Sequence, residues 1–323
     1  MGCIRQRWTV VMLGAVLGLS LAACKKDEGA SQDKGGAAAS SGGSAKADDL
    51  SLLPADSEVV GGINFGQIQQ SPMWSTVIAP KMAGHQGKLD EFKAKCGMDP
   101  LKLFTSIAFG AKSVTTDKPS VVIVAHGVDK AKVLDCIDKN KDEITKDGSQ
   151  VTRDGDFVVL KDKRGDPATI GFVDNSTAIL VAGENGTPAG VKAAIGGKAA
   201  LKDSAAFLDM YKKITTTDSL WIMANGKVME QLPMLGGAVA AYGSLNLTNG
   251  VSLDGRVKFD KPEAATQAAA LLNGQSKQAQ SFVDKAEFTS EGTEVHGSIV
   301  ISAQKLTQLT PFLGMAMPGM GGN

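Results

Sequence analysis

The sequence predicts an α+β fold of two units, each a mostly antiparallel sheet with helices packed on one face. Apolar segments of strand length are joined by short polar turns, which is typical of antiparallel hairpins. Amphipathic segments with helical spacing separate these hairpins. The segment at 218–222 also repeats the pattern of the segment at 56–60, which raises the hypothesis that the second unit duplicates the first.

The first unit, residues 51–214, contains apolar segments bounded by capping and turn residues. Ser71 can cap a helix that begins at Pro72, and Gly196 can end another. Strands are predicted at 58–65, 105–111, 120–125, 151–152, 157–160, 168–173 and 177–182. The other helices are predicted at 89–96, 130–139, 188–195 and 205–214.

The second unit, residues 215–314, follows a similar order of strands and helices. A strand near 220 leads to a hairpin over 242–259 that turns at Thr248-Asn249-Gly250. A helix is predicted at 262–272, because Gly274 lies just past its end. A last hairpin at 286–302, a helix at 304–312 and a flexible Met/Gly-rich tail at 315–323 complete the unit.

The first 23 residues have the layout of a signal peptide. Arg5 and Arg7 precede an apolar segment at 9–20, which is shorter than the ~20 residues that a membrane-spanning helix requires. Leu21-Ala22-Ala23-Cys24 follows. Residues 1–24 therefore resemble the precursors of bacterial lipoproteins, in which the cysteine of this motif carries acyl chains.

The resemblance implies that Cys24 is the lipidated residue and that the acyl chains on Cys24 hold the protein to a membrane. Two or three chains suffice for stable anchoring. An ordinary secreted protein is the alternative. Lys25, in the position that influences sorting in such lipoproteins, implies the outer membrane of a cell envelope, on its periplasmic or its surface face.

Residues 24–50 are predicted to form a lipidated, disordered tether, because Lys, Asp, Ser, Gly and Ala alternate there without apolar periodicity. Across the chain, 34 basic residues balance 34 acidic residues. A chain with this balance lacks the excess of positive charge that attracts nucleic acid, so no nucleic-acid partner is predicted. Aromatic residues make up 5% of the chain, which predicts an aliphatic core.

Cys96 and Cys136 are the two thiols of the predicted fold. Export places them in an oxidising compartment, where they can form a disulfide. Two separate buried thiols are the alternative. Neither cysteine has a neighbouring histidine and carboxylate that would indicate a nucleophile.

The remaining chemical motifs predict no catalytic residue, no cofactor and no metal ion. His85, His126 and His296 lack the spacing of zinc ligands, and the two strand histidines are interpreted as ordinary sheet positions. Gly61-Gly62 lacks the spacing of a nucleotide loop and predicts a bulge or a close approach of a helix. The methionines in the tail could bind Cu(I), although a frayed tail is the simpler interpretation.

We therefore predict a non-enzymatic, lipid-anchored envelope protein with a binding or structural role. The segment Leu53-Pro54-Ala55-Asp56 resembles the start of uncharacterised two-unit α+β envelope lipoproteins, and that resemblance implies no activity. The partner is an unknown envelope protein or an apolar ligand. Two alternatives stay open: a periplasmic carrier of an apolar ligand or lipoprotein, and an envelope enzyme of unrecognised type.

Overall fold

The computed structural model describes residues 49–197, 199–231 and 236–308. The strands are β1 (Val59–Asn64), β2 (Ser106–Lys112), β3 (Ser120–His126), β4 (Gln150–Asp154), β5 (Phe157–Lys161), β6 (Pro167–Phe172), β7 (Thr177–Ala182), β8 (Leu220–Asn225), β9 (Ala238–Asn246), β10 (Gly250–Phe259), β11 (Lys285–Glu291) and β12 (Glu294–Ser302).

The helices are short, apart from one near the end of the chain. They are α1 (Asp49–Leu52), α2 (Phe65–Gln69), α3 (Ala79–Ala83), α4 (Gln86–Cys96), α5 (Lys130–Lys139), α6 (Lys141–Ile144), α7 (Pro188–Ile195), α8 (Ala205–Tyr211) and α9 (Pro262–Ala279). A π-helical turn (Trp74–Ile78) precedes α3. Within the described residues, no helix is long and apolar enough to cross a membrane.

The twelve strands form a single antiparallel sheet in the order β11-β12-β10-β9-β8-β1-β2-β3-β7-β6-β5-β4. The prediction of mixed α and β structure with antiparallel pairing is confirmed. The two predicted units do not carry separate sheets, because β1 pairs with β8 from Val59↔Ala224 to Ile63↔Leu220 and so joins them edge to edge.

The two halves have the same local strand order on either side of the β1–β8 pair. Reading outward, the first half runs β1-β2-β3-β7-β6 and the second runs β8-β9-β10-β12-β11. In both halves a helix (α5 or α9) follows the third strand in the chain. The first half has an additional hairpin, β4–β5, at its outer edge.

Helices cover both faces of the first half, so the prediction of helices on one face is wrong. On the back face, Val124 and Ile179 pack in the main core with Val191 of α7 and Leu50 of α1. On the front face, the intervening residues of the same strands pack against α5, as Ala125 does with Val133. Because both faces of these strands are buried, their sequences are continuously apolar and do not reveal the second helical layer.

The fold begins earlier than predicted, because Asp49 and Leu50 belong to it rather than to the tether at 24–50. Leu50 is buried in the main core. The Asp49 side chain is 3% exposed, and its Oδ1 lies 2.7 Å from Nε2 of His126. Because Asp49 follows a polar, charged segment, its sequence context predicts a tether. Its contact with His126 on β3 is a tertiary contact, which that local context does not reveal.

The paired glycines of β1 face aromatic rings and mark neither a bulge nor a close helix, so that prediction is wrong. A Cβ on Gly61 would lie 2.7 Å from Cζ of Phe109, on the neighbouring strand β2. A Cβ on Gly62 would contact the indole ring of Trp221, on the neighbouring strand β8. The two glycines therefore make room for one aromatic side chain on each face of the sheet.

Helix boundaries follow the predicted capping residues closely, with one exception. Ser71 caps the helical turn through a 3.1 Å hydrogen bond from the Trp74 amide, and α7 has the predicted bounds. Helix α9 continues five residues past Gly274, because an exposed glycine weakens a helix without ending it. The predicted helix at 304–312 is described only to 308, and the tail lies outside the described residues.

Candidate apolar binding site

A cavity of about 410 Å³ lies on the front face of the first half, between the sheet and helices α4, α5 and α6. Its volume falls within the roughly 300–1,000 Å³ that is usual for small-molecule sites. Apolar side chains dominate its lining. They include Leu89, Phe92, Met98, Leu103, Phe104, Ile123, Ala125, Val133, Ile137, Leu160, Ile170, Ala178 and Leu180.

The floor of the cavity is built from cross-strand pairs of β3 and β7. Ile123 pairs with Leu180, and Ala125 pairs with Ala178. Alternate residues of a strand face the same side, so these four side chains form one patch. The two alanines are the smallest side chains of the floor, and they give the cavity depth at the end nearest α5.

The roof of the cavity consists of α4 and α5. Residues 85, 88, 89, 92, 95 and 96 line it, and their spacing of three and four places them on one face of α4. A disulfide between Cys96 and Cys136 joins the two helices, with the Cα atoms 4.6 Å apart. Both cysteines line the cavity, so the cross-link lies in the roof itself.

One buried amide supports the roof next to the disulfide. Asn140 is 8% exposed, and its Nδ2 donates to the carbonyl oxygen of Cys136 at 2.8 Å. The same nitrogen lies 3.7 Å from Sγ of Cys96. The Nδ2 group of Asn140 is therefore hydrogen-bonded within the roof, as is usual for a buried polar group.

The rim of the cavity carries a network of charges between α4 and α6. Lys95 Nζ lies 2.7 Å from Glu91 and 2.6 Å from Glu143. The hydrogen bonds to Glu143 and then to Glu91 raise the pKa of Lys95. The hydrogen bond from Lys95 lowers the pKa of Glu143. This network neutralises Lys95 and holds α6 beside α4.

Lys88 also lines the cavity, seven residues before Lys95 on α4, and it is exposed. It forms no ion pair with any residue that the structure describes. His85, three residues earlier, is likewise exposed and lines the same end. The rim therefore has one end with paired charges and one end with a lone ammonium group.

Each of the strand histidines lies within hydrogen-bonding distance of an aspartate, away from the cavity. His126 is held on the back face by Asp49 and lies 3.4 Å from Thr177 Oγ1. His296 lies 2.8 Å from Asp254 on the pairing partner β10. His126 is more buried than an ordinary sheet position, because α1 packs over it. Among the described residues, no group of three or more His, Cys, Asp or Glu side chains could hold a metal ion.

A second polar cluster, Lys213–Tyr242–Glu294, joins the connection between the halves to β12. Glu294 Oε1 accepts hydrogen bonds from Lys213 at 2.9 Å and from Tyr242 at 2.8 Å. Burial and the hydrogen bond to Glu294 raise the pKa of Tyr242 to about 12. Burial opposes ionisation of Glu294, but the hydrogen bonds from Lys213 and Tyr242 prevail and lower the pKa of Glu294.

The cavity contains only some of the candidate site residues that the sequence predicts. Cys96 and Cys136 lie in its roof, whereas Cys24 lies outside the described residues. The floor residues were predicted as strand core, and the sequence did not distinguish core from cavity lining. The weak signal available was Ala125 and Ala178, two small residues at the ends of otherwise bulky apolar strands.

Comparisons with protein-family models, with curated proteins and with solved structures find no match to this chain.

Proposed function

We propose that this protein is a lipid-anchored, non-enzymatic envelope protein that binds an apolar small molecule in the cavity beneath α4 and α5. The cavity itself carries the proposal: about 410 Å³ of space with a mainly apolar lining. Apolar surface that faces water has an unfavourable free energy of roughly 25 cal/mol per Å². An apolar ligand removes that surface from water on both sides of the contact.

The position of the cavity supports carriage of a ligand rather than a purely structural role. The main core on the back face is closed around buried residues such as Val60, Val124 and Leu201. The front-face cavity reaches the surface, because exposed His85 and Lys88 line it. A ligand can therefore enter without unfolding the core.

Membrane anchoring is the second part of the proposal, and the motif at Cys24 supports it. Acyl chains on Cys24 and a flexible tether would hold the cavity within roughly 30 Å of a membrane surface, which is a source of apolar ligands. Accumulation of an uncleaved precursor in cells treated with globomycin tests the anchor. Unchanged processing would contradict it.

Ligand binding is tested with the fluorescent probe N-phenyl-1-naphthylamine and the whole chain after residue 23, carrying Cys24→Ala and exported through a cleavable signal. We expect saturable fluorescence enhancement. Ala178→Trp fills the floor of the cavity and should weaken probe binding at least about tenfold, because the bulky ring displaces the ligand from its apolar contacts.

The matched control is Ala182→Trp, on the same strand and the same face but outside the cavity lining. It should leave probe affinity unchanged. Circular dichroism and denaturation show whether both variants fold. Absence of saturable binding to the parent chain, or equal loss in both folded variants, would contradict the proposed function.

We also infer that the two halves derive from one duplicated α+β unit. The shared strand order and the antiparallel β1–β8 pair, which relates the halves by an approximate two-fold axis, support this inference. Superposing β1, β2, β3, α5, β6 and β7 on β8, β9, β10, α9, β11 and β12 should align all six elements in direction. Opposite placement of α5 and α9 would contradict it.

A further inference from the structure

The lysines at the two ends of the cavity rim differ in their surroundings. Lys95 lies between Glu91 and Glu143, at 2.7 and 2.6 Å, so its charge is already balanced. Lys88 lines the same cavity and forms no ion pair with another described residue. A cavity with an apolar interior and one unpaired cation at its entrance is complementary to a molecule with an apolar body and an anionic end.

We propose that the ligand is an ionised fatty acid with a single acyl chain, whose carboxylate pairs with Lys88 and whose chain lies between α4 and the β3–β7 floor. This inference rests on the proposed function, since it names the ligand class of the same cavity. His85 is the N-cap residue of α4, three residues before Lys88, and lines the same end of the cavity. Its imidazole ring is a further hydrogen-bonding group near the proposed carboxylate.

The volume of the cavity favours one chain over two. At about 410 Å³ it is near the lower end of the usual range for small-molecule sites, and the mainly apolar floor and roof offer few groups for a large polar head. Diacyl lipids would leave a chain or a bulky headgroup in water. A fatty acid places its only charged group at the entrance, where Lys88 is exposed.

The charge around the entrance supports an anion at Lys88 rather than a cation. Glu91 and Glu143 are engaged by Lys95, and the nearby Asp90 accepts a hydrogen bond from Gln86 at 2.9 Å. Glu91 and Glu143 share one ammonium group, so the Lys95 end of the rim is already rich in carboxylates. Lys88 is the lining cation that pairs with no described carboxylate, so an anionic group finds its partner at the Lys88 end.

The test measures displacement of N-phenyl-1-naphthylamine by three probes with the same chain: dodecanoate, 1-dodecanol and dodecyltrimethylammonium. We expect dodecanoate to bind about two- to fivefold more tightly than dodecanol, as one partly exposed ion pair contributes at that level. Dodecyltrimethylammonium should bind most weakly. The preference for dodecanoate should decrease with added salt, which screens exposed charges.

Lys88→Gln should abolish the preference for dodecanoate and leave dodecanol binding unchanged. The control is Lys93→Gln, an exposed lysine of the same helix that does not line the cavity; it should keep the preference. Equal affinity for dodecanoate and dodecanol, or equal effects of the two variants, would overturn the fatty-acid inference while leaving apolar binding intact. Failure of all three probes and of the fluorescent probe would instead overturn the proposed function.

Discussion

The two halves of the sheet share a strand order but differ in how closely a helix approaches the front face. In the second half, α9 lies directly on the sheet: Ala265 and Ala269 are buried with Val295 and Phe259. In the first half, α4 and α5 stand above the sheet and leave a cavity. The same arrangement of strands therefore supports a solid packing layer on one side and a binding site on the other.

The side chains at the helix–sheet contact explain this difference. The buried alanines on α9 allow the helix backbone to lie close to the sheet, in contact with Val295 and Phe259. The roof helices present Leu89, Phe92 and Val133 toward a floor that contains Ala125 and Ala178. The disulfide joins the roof helices to each other, so neither helix can settle onto the sheet alone.

The largest expected effect on stability comes from removing the disulfide in the roof of the cavity. Removing the cross-link with Cys96→Ala and Cys136→Ala should lower the free energy of unfolding by roughly 4 kcal/mol, because it releases a loop of 40 residues in the unfolded chain. Denaturant titration measures the loss, and probe titration measures binding. Weaker probe binding together with unchanged hydrogen exchange in α9 is expected. Unchanged probe affinity would show that the disulfide does not shape the cavity.

A smaller effect compares one substitution in the two halves. Ala265→Leu should cost about 1–3 kcal/mol, because Ala265 is fully buried between α9 and the sheet and a larger side chain would strain that contact. Ala178→Leu should cost less than about 1 kcal/mol, because the added methyl groups enter the cavity. Urea denaturation of both variants gives the difference. Equal costs would contradict the contrast in packing.

The smallest effect concerns the cluster that ties the connecting segment to the second half. Glu294→Gln should lower stability by about 1 kcal/mol, because Lys213 and Tyr242 lose a charged acceptor. The folded pKa of Glu294 lies below its ordinary value of 4.5. Its contribution is therefore complete above pH 4.5 and is lost as the pH falls through the folded pKa.

Thermal denaturation across the acid range tests this dependence. The parent chain should lose more stability than Glu294→Gln as the pH falls below 4.5. Glu291→Gln, at the exposed β11–β12 turn, is the matched control and should behave like the parent chain. Parallel acid profiles for the parent chain and Glu294→Gln would exclude a role for this cluster.

Local features of the fold were predictable because they depend on neighbouring residues. The hairpin at 248–250 was located from its turn residues, and Gly250 has a φ of 123° that favours glycine. Helix α7 lies between the predicted Pro188 and Gly196. The hypothesis that Cys96 and Cys136 form a disulfide depends on the compartment that a predicted signal peptide would imply, and the two sulfurs are bonded in the structure.

Contacts between distant segments were not predictable from local patterns. The β1–β8 pair joins residues more than 150 positions apart. Neither strand contains a local sequence feature that identifies the other as its pairing partner. In the sequence, Asp49 resembles the polar residues of the predicted tether, and only the fold brings it within hydrogen-bonding distance of His126. The cavity lining looked like ordinary core, because apolar periodicity reports which side a residue faces and not how far away the opposite layer lies.

The amino-acid sequence by itself determined the antiparallel pairing, most helix ends and the balance of charge, and it is the basis for proposing lipidation at Cys24. Each of these depends on residue type and short-range spacing. Tertiary structure alone decided that the halves share one sheet and that helices cover both faces of the first half. It also decided that Lys88, at the edge of an apolar cavity, pairs with no carboxylate in the part of the chain that the structure describes. The physical reason is that the volume of a cavity and the pairing of charges depend on residues from different helices and strands. Packing of these elements sets the distances between them, and short-range sequence patterns do not contain those distances.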